Sequence, residues 1–323
     1  MKALRLSAQG FKIGDGLFGT HGKRTGTVRE IVHDGDTLNI RLNKDLAVRY
    51  LGIDSAEVSF TLPGASTFVH LTDSRWDDFF ASGAWRNGIE LHPGLRLDLD
   101  VRIGNGAGVA ANHARHAKRA QLALEQIIRT DLGISGKTNE DFAFFMAFAH
   151  EFLDGTGRLL CYLNSSLENF SNPETRKAIA RTSYNERQLA SGAALPYFIW
   201  PNIQPFLAGK PFSRENIEPE SFWRQVQRSS KLRQARESVA SARANGLGVF
   251  DPADPLRVAP FELRFLSRKT RPDRFVIDLA RPGNTQLLAP ERYYTIPHPE
   301  NRLFIPAEYT PIFRMYGWTE TAA

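Results

Sequence analysis

Cysteine occurs once in 323 residues, at Cys161. A single thiol excludes an intramolecular disulfide and points to a reducing compartment or indifference to redox. It lies in the apolar run "RLLCYL", where a buried, inert thiol is expected and a nucleophile, which needs an electropositive and exposed setting, is not. The chain lacks any run of about 18 apolar residues, so no membrane-spanning helix is expected. Its opening "MKALRLSAQGFKIGDGLFGTHGKR" lacks the roughly 7–15-residue apolar stretch of a secretory signal. A soluble, cytoplasmic protein without membrane association is expected. No internal repeat or low-complexity tract is present.

What the sequence does contain is ordinary for a globular protein, with 42% hydrophobic and 24% charged residues. Its length suits two domains or one decorated domain. Lysine and arginine number 41 against 35 acidic residues, a net charge of +6 that favours a polyanionic partner.

The segments "TGTVREIV", "DTLNIRL" and "LAVRYLGI" alternate apolar and polar residues, the period of half-buried strands, and short turns at Asp34-Gly35 and Asn43-Lys44-Asp45 join them. A three-stranded meander over about 26–53 is expected. From 58 to 111 the pattern breaks into an insertion with a short helix near Trp76–Ala81 and a strand at "LRLDLDVRI". A helix follows from Asn112 to about Gly133, then a strand at "FAFFMAFAHEFL" turning at Asp154-Gly155 into "GRLLCYL". Further helices are expected after Pro173, near Asn185, and over Glu220 to Ala244. Beyond "DPADP" at 251–255, "FELRFL" and "RFVIDL" suggest strands. The expected division is 1–250 for the main domain and 251–323 for a β-rich C-terminal appendage.

The chemistry concentrates in "HDGDTLNIRLNKDLAVRYLGIDSAE", which sets Asp34 and Asp36 at one strand end and Arg49, Asp54 and Glu57 around another. Phosphodiester hydrolysis needs oxygen ligands for a hard cation, a base and fixed positive charge around the phosphate, and these residue types supply them. The run "DGDT", then "RYLGIDSAE", then "DGTGR" at 154–158 resembles the thermonuclease family of staphylococcal-nuclease-like enzymes in order and internal spacing. The resemblance covers about 25–57 and 112–248. It departs from the family at Ser55-Ala56, where the family has Thr-Pro, and at Gly155-Thr156, where it has Lys-Tyr.

That resemblance implies an α+β fold, an OB-like five-stranded barrel with about three helices. It implies a calcium-dependent nuclease acting on DNA or RNA with low sequence specificity and leaving 3′-phosphate ends. One Ca2+ ion would be held by Asp36, Asp54 and the Ser55 backbone carbonyl, with Asp34 as an outer-shell acceptor. Glu57 would act as general base, and Arg49 and Arg158 would bind phosphate oxygens. Phe198 and Trp200 in "FIWPN" would stack on bases. The competing expectation is a non-catalytic OB-like module that binds single-stranded nucleic acid.

Other charged groups have blander readings. His113 and His116, at i and i+3 of a helix, are expected at the surface or on a phosphate, since no further ligand motif accompanies them. The basic face of the 220–244 helix is expected to be solvated. The cluster Arg264, Arg268, Lys269, Arg271 and Arg274 is a stronger candidate for nucleic-acid contact because its charges lie close together.

Overall fold

The computed structural model describes residues 4–7, 10–13, 16–18, 20–21, 24–31, 40–42, 47–179, 181–203 and 213–321. Asp34 and Asp36 lie outside them. The chain divides into two compact units, one of Met1–Tyr50 with Glu151–Cys161 and the other of Leu51–His150 with Tyr162–Ala323.

The first unit contains short antiparallel pairs, Leu4–Ser7 with Gly10–Ile13 and Gly16–Phe18 with Ile40–Leu42. Its Val48–Tyr50 strand runs parallel to the start of Leu159–Ser165, Arg49 lying opposite Leu160. The expected meander is therefore corrected in two places. Val28–Ile31 is a helical turn, because the Glu30 side chain reaches back to accept the Thr27 N–H at 2.7 Å, the return half of a capping box. And the pairing of Val48–Tyr50 is with a strand a hundred residues downstream.

The second correction comes from Gly52. Its φ of +75° is open to glycine at little cost and strains an L-residue, so "LAVRYLGI" breaks there instead of continuing as one strand. Gly52–Asp54 joins another sheet, antiparallel to Leu195–Ile199. Leu195–Ile199 then pairs in parallel with Arg302–Pro306, which pairs antiparallel with Arg274–Asp278. No sheet among the described residues closes into a barrel. The fold is α+β.

Two stretches with strand-like alternation are helices. In Pro93–Ile103, Leu95, Leu99 and Ile103 are fully buried at helical spacing, while Leu97 and Val101, which completed the alternation, are 65% and 75% exposed. His92 starts this helix by accepting the Gly94 N–H, and Pro93 supplies the preset φ of a first turn. "FELRFL" lies in the helix Pro260–Arg268, which starts on a proline and buries Leu263 and Leu266. Both helices pack into one core with Trp76, Trp85, Val276 and Phe304. Residues of 58–111 and of 251–323 therefore share a hydrophobic core.

Elsewhere helices form at Ser74–Ala81, Val109–Ser135, Pro173–Ile179 and Tyr184–Ala190, near their expected places, and Phe144–Leu153 is a strand. The helix expected over 220–244 is two, Pro219–Arg228 and Ser230–Ala244. Ser229 between them adopts an extended backbone and its side chain caps the second helix at the Leu232 N–H. Among the described residues no helix is long and apolar enough to cross a membrane.

The helical reading of 93–103 makes a direct prediction. Leu99→Ala should cost about 2–5 kcal/mol in urea unfolding and Leu97→Ala no more than about 0.5 kcal/mol. Equal losses would indicate that both side chains are buried, contrary to this packing.

Candidate functional site

Asp54 ends the Gly52–Asp54 strand opposite Leu195 and is 3% exposed. A carboxylate so buried needs a partner, and Arg264 provides it. Arg264 Nη1 donates to Asp54 Oδ1 at 2.9 Å, and Nη2 donates to Asp54 Oδ2 at 2.6 Å. The same Nη1 donates to Glu57 Oε1 at 2.9 Å. One guanidinium thus bridges both carboxylates, its side chain only 14% exposed.

The helix bearing Arg264 is fixed two residues earlier by a second ion pair. Glu262 is 2% exposed, accepts from Arg102 at 2.7 and 2.8 Å, and also accepts from the Tyr293 hydroxyl and the Ala259 N–H. Burial works against its charge, but Arg102 beside it holds the carboxyl below the usual range. Arg102 belongs to the Pro93–Ile103 helix, so the insertion orients the helix that delivers Arg264. Arg264→Ala should cost about 3–5 kcal/mol, because Asp54 is left buried without its main counter-charge. A loss under about 1 kcal/mol in chemical denaturation would mean the pair is solvated.

His113 completes the cluster. Its Nε2 accepts the Glu57 backbone N–H at 2.9 Å, and its Nδ1 lies 3.2 Å from the Val258 carbonyl. Those two bonds require the neutral ring with Nδ1–H as donor. Burial pushes the His113 pKa down from 6.5 to about 4, against the opposing pull of the Val258 carbonyl and Asp54; His116 and Arg264 push it further down. The sign follows directly. Above pH ~6.5 the ring is neutral folded or unfolded, and between about 6.5 and 4 only the unfolded chain gains the proton, so stability falls by on the order of 3 kcal/mol. His113→Gln should flatten part of that decline when unfolding is measured at pH 7.5 and 4.5; an unchanged slope would refute the buried neutral ring.

The expected site residues fall into separate groups. Arg49 and Arg158 belong to the first unit, and Asp54, Ser55 and Glu57 to the second. Arg49 is half-buried on Val48–Tyr50. Arg158 closes a tight turn, its Nε donating to Asp154 Oδ2 at 2.7 Å while Asp154 Oδ1 accepts from the Thr156 and Arg158 N–H groups. Ser55 is exposed. Phe198 and Trp200 are 0% and 1% exposed, Trp200 packing edge-on against Tyr309 and Phe313. This corrects their expected stacking role, because a base needs an open ring face and both rings belong to the core. His113 and His116 are likewise buried, not at the surface.

Calcium takes about 6–8 oxygen ligands at roughly 2.3–2.6 Å. Both Asp54 oxygens and one Glu57 oxygen already accept from Arg264, and a divalent ion would have to share its place with a buried positive charge. Of the expected calcium ligands, Asp36 lies outside the described residues, and both oxygens of Asp54 are taken by Arg264.

Sequence reading included Arg264 in a basic cluster but missed its partner, 210 positions away. The cluster itself does come together. A cavity of about 360 Å3 is lined by Arg264, Arg268, Arg271 and Arg274, with Tyr197 and Phe261 among its rings. Tyr197 and Phe261 stack at 5.3 Å with planes 9° apart. No family model, curated protein or solved structure matches this chain.

Proposed function

We propose that this protein binds single-stranded nucleic acid through its arginine-lined cavity and does not hydrolyse it with calcium. The observation that carries the reading is the position of Arg264. It neutralises the two carboxylates that a calcium-dependent nuclease would use, and it lines the same cavity as three further arginines. The chemistry available there is recognition of phosphate by guanidinium groups next to aromatic surface, the combination used by sequence-tolerant single-strand sites. Phe261 is the half-buried ring of that surface, whereas Phe198 and Trp200 are closed off. The reading does not depend on an OB-like barrel.

One observation keeps hydrolysis as a second reading. Asp54 and Glu57 converge on a single nitrogen of Arg264, the arrangement two carboxylates adopt around one cation. Should Arg264 withdraw, both would face an exchangeable position, with Glu57 placed to act as a base.

Fluorescence anisotropy with a labelled single-stranded DNA or RNA oligonucleotide separates these readings. Binding should weaken with salt with a log–log slope of about −1.4, Arg268 and Arg274 contributing about 0.7 each, since Arg264 and Arg271 are already paired with carboxylates. The oligonucleotide should stay intact in calcium. Calcium-dependent cleavage abolished by Glu57→Gln would establish the hydrolytic reading instead, and no binding at low salt would overturn both.

A further inference from the structure

We infer that the cavity beside Arg264 is a binding site for one phosphomonoester carried on a planar ring, a nucleoside monophosphate or the phosphorylated end of a strand. The choice of a nucleotide among ring phosphates rests on the proposed function; the anion and the ring rest on the cavity itself.

The charges in the cavity are unevenly satisfied. Arg264 is committed to Asp54 and Glu57, and Arg271 donates to Glu291. Arg268 is exposed and has no carboxylate partner among the described residues, its guanidinium lying 5.2 Å from the Phe60 ring centre. Among the described residues Arg274 pairs with the largely exposed Asp273, at 3.2 Å, and the Tyr197 hydroxyl, at 3.1 Å, its guanidinium lies 5.7 Å from the Tyr197 ring centre, and its Nε is buried without a hydrogen-bond partner. A buried donor left unsatisfied is costly. Two guanidinium groups with free donors therefore line one cavity, and guanidinium matches phosphate oxygens in pairs.

Size and lining argue for more than an inorganic ion. A volume of about 360 Å3 falls within the range of roughly 300–1,000 Å3 typical of small-molecule sites. Water takes about 30 Å3, so a lone phosphate would leave most of the space unfilled. Apart from the arginines, Thr270 and Asp273, whose carboxylate is paired with Arg274, the lining is apolar and aromatic, with Phe261 half-buried over its stacked partner Tyr197. A planar ring fills such a wall without needing fixed hydrogen bonds. The phosphate would meet Arg268 and Arg274, and the ring would lie against the aromatic side.

Calorimetric titration of the full chain tests this with four probes: a nucleoside 5′-monophosphate, the unphosphorylated nucleoside, ribose 5-phosphate and inorganic phosphate. The monophosphate should bind at least tenfold tighter than each of the other three. Arg268→Ala and Arg274→Ala should each weaken it about tenfold or more, with circular dichroism unchanged, and Arg233→Ala on a different helix should not. Arg268 is exposed, so its variant keeps the fold whatever happens at Arg274. Equal binding of the monophosphate and inorganic phosphate, or wild-type affinity in both cavity variants, would overturn the inference. An oligonucleotide that binds, and loses affinity in Arg268→Ala and Arg274→Ala, while the monophosphate neither binds nor competes would sink the phosphomonoester inference and leave the proposed function standing; failure of both probes would sink both.

Discussion

A guanidinium held between Asp54 and Glu57 is the contact on which the second unit's arrangement depends. Arg264 comes from the helix Pro260–Arg268, and its partners end the first strand of the four-stranded sheet and begin the loop that follows. An ion pair this buried contributes little net stability against a well-packed apolar alternative. Its effect is on register. The buried Asp54 meets Arg264 only where the 260–268 helix lies in this position, and the Glu262–Arg102 pair ties the same helix to the 93–103 helix. The two pairs, two residues apart on one helix, join the strand edge, the 93–103 helix and the C-terminal residues into one structure.

The proposed function rests on the same contact. The positive charge that Arg264 places between the carboxylates removes the electrostatic reason for a divalent ion to bind there. Its neighbours on the chain, Arg268, Arg271 and Arg274, line the adjoining cavity. Positive charge is thus spent internally at one position and left available at two others. That division separates an arginine held by two carboxylates, Arg264, from two that line the cavity without a buried carboxylate partner among the described residues, Arg268 and Arg274, and sequence spacing alone does not reveal it.

How much was legible in the sequence differs by residue. Helices with strong caps and helical spacing, such as Ser74–Ala81 and Tyr184–Ala190, were readable because local chemistry determines them. The alternation in "LRLDLDVRI" misled because Leu and Val recur at every second position, and only tertiary burial selects Leu95, Leu99 and Ile103. "FELRFL" misled similarly, although Pro260 and Glu262 in its first turn were available start signals. The break at Gly52 was visible as a glycine but not as a positive φ. In the candidate site, the prominence of Asp54 and Glu57 was legible from their motif. Their partner was not, because an ion pair across 210 residues leaves no local trace. His113 was noticed for its spacing to His116, yet its bond to the Glu57 backbone depends wholly on the fold. Phe198 and Trp200 stood out only as aromatics in "FIWPN", and their burial comes from the strands pairing on both sides of Leu195–Ile199.

The central claim, that Arg264 holds the position a cation would otherwise take, is tested most directly by thermal melting of the full chain across a calcium titration. A resident ion stabilises the folded state by RT ln(1 + [Ca2+]/Kd), so binding raises the melting temperature progressively with concentration. The account predicts no calcium-dependent rise in the wild-type chain. A rise that grows with calcium and disappears in Glu57→Gln would contradict it.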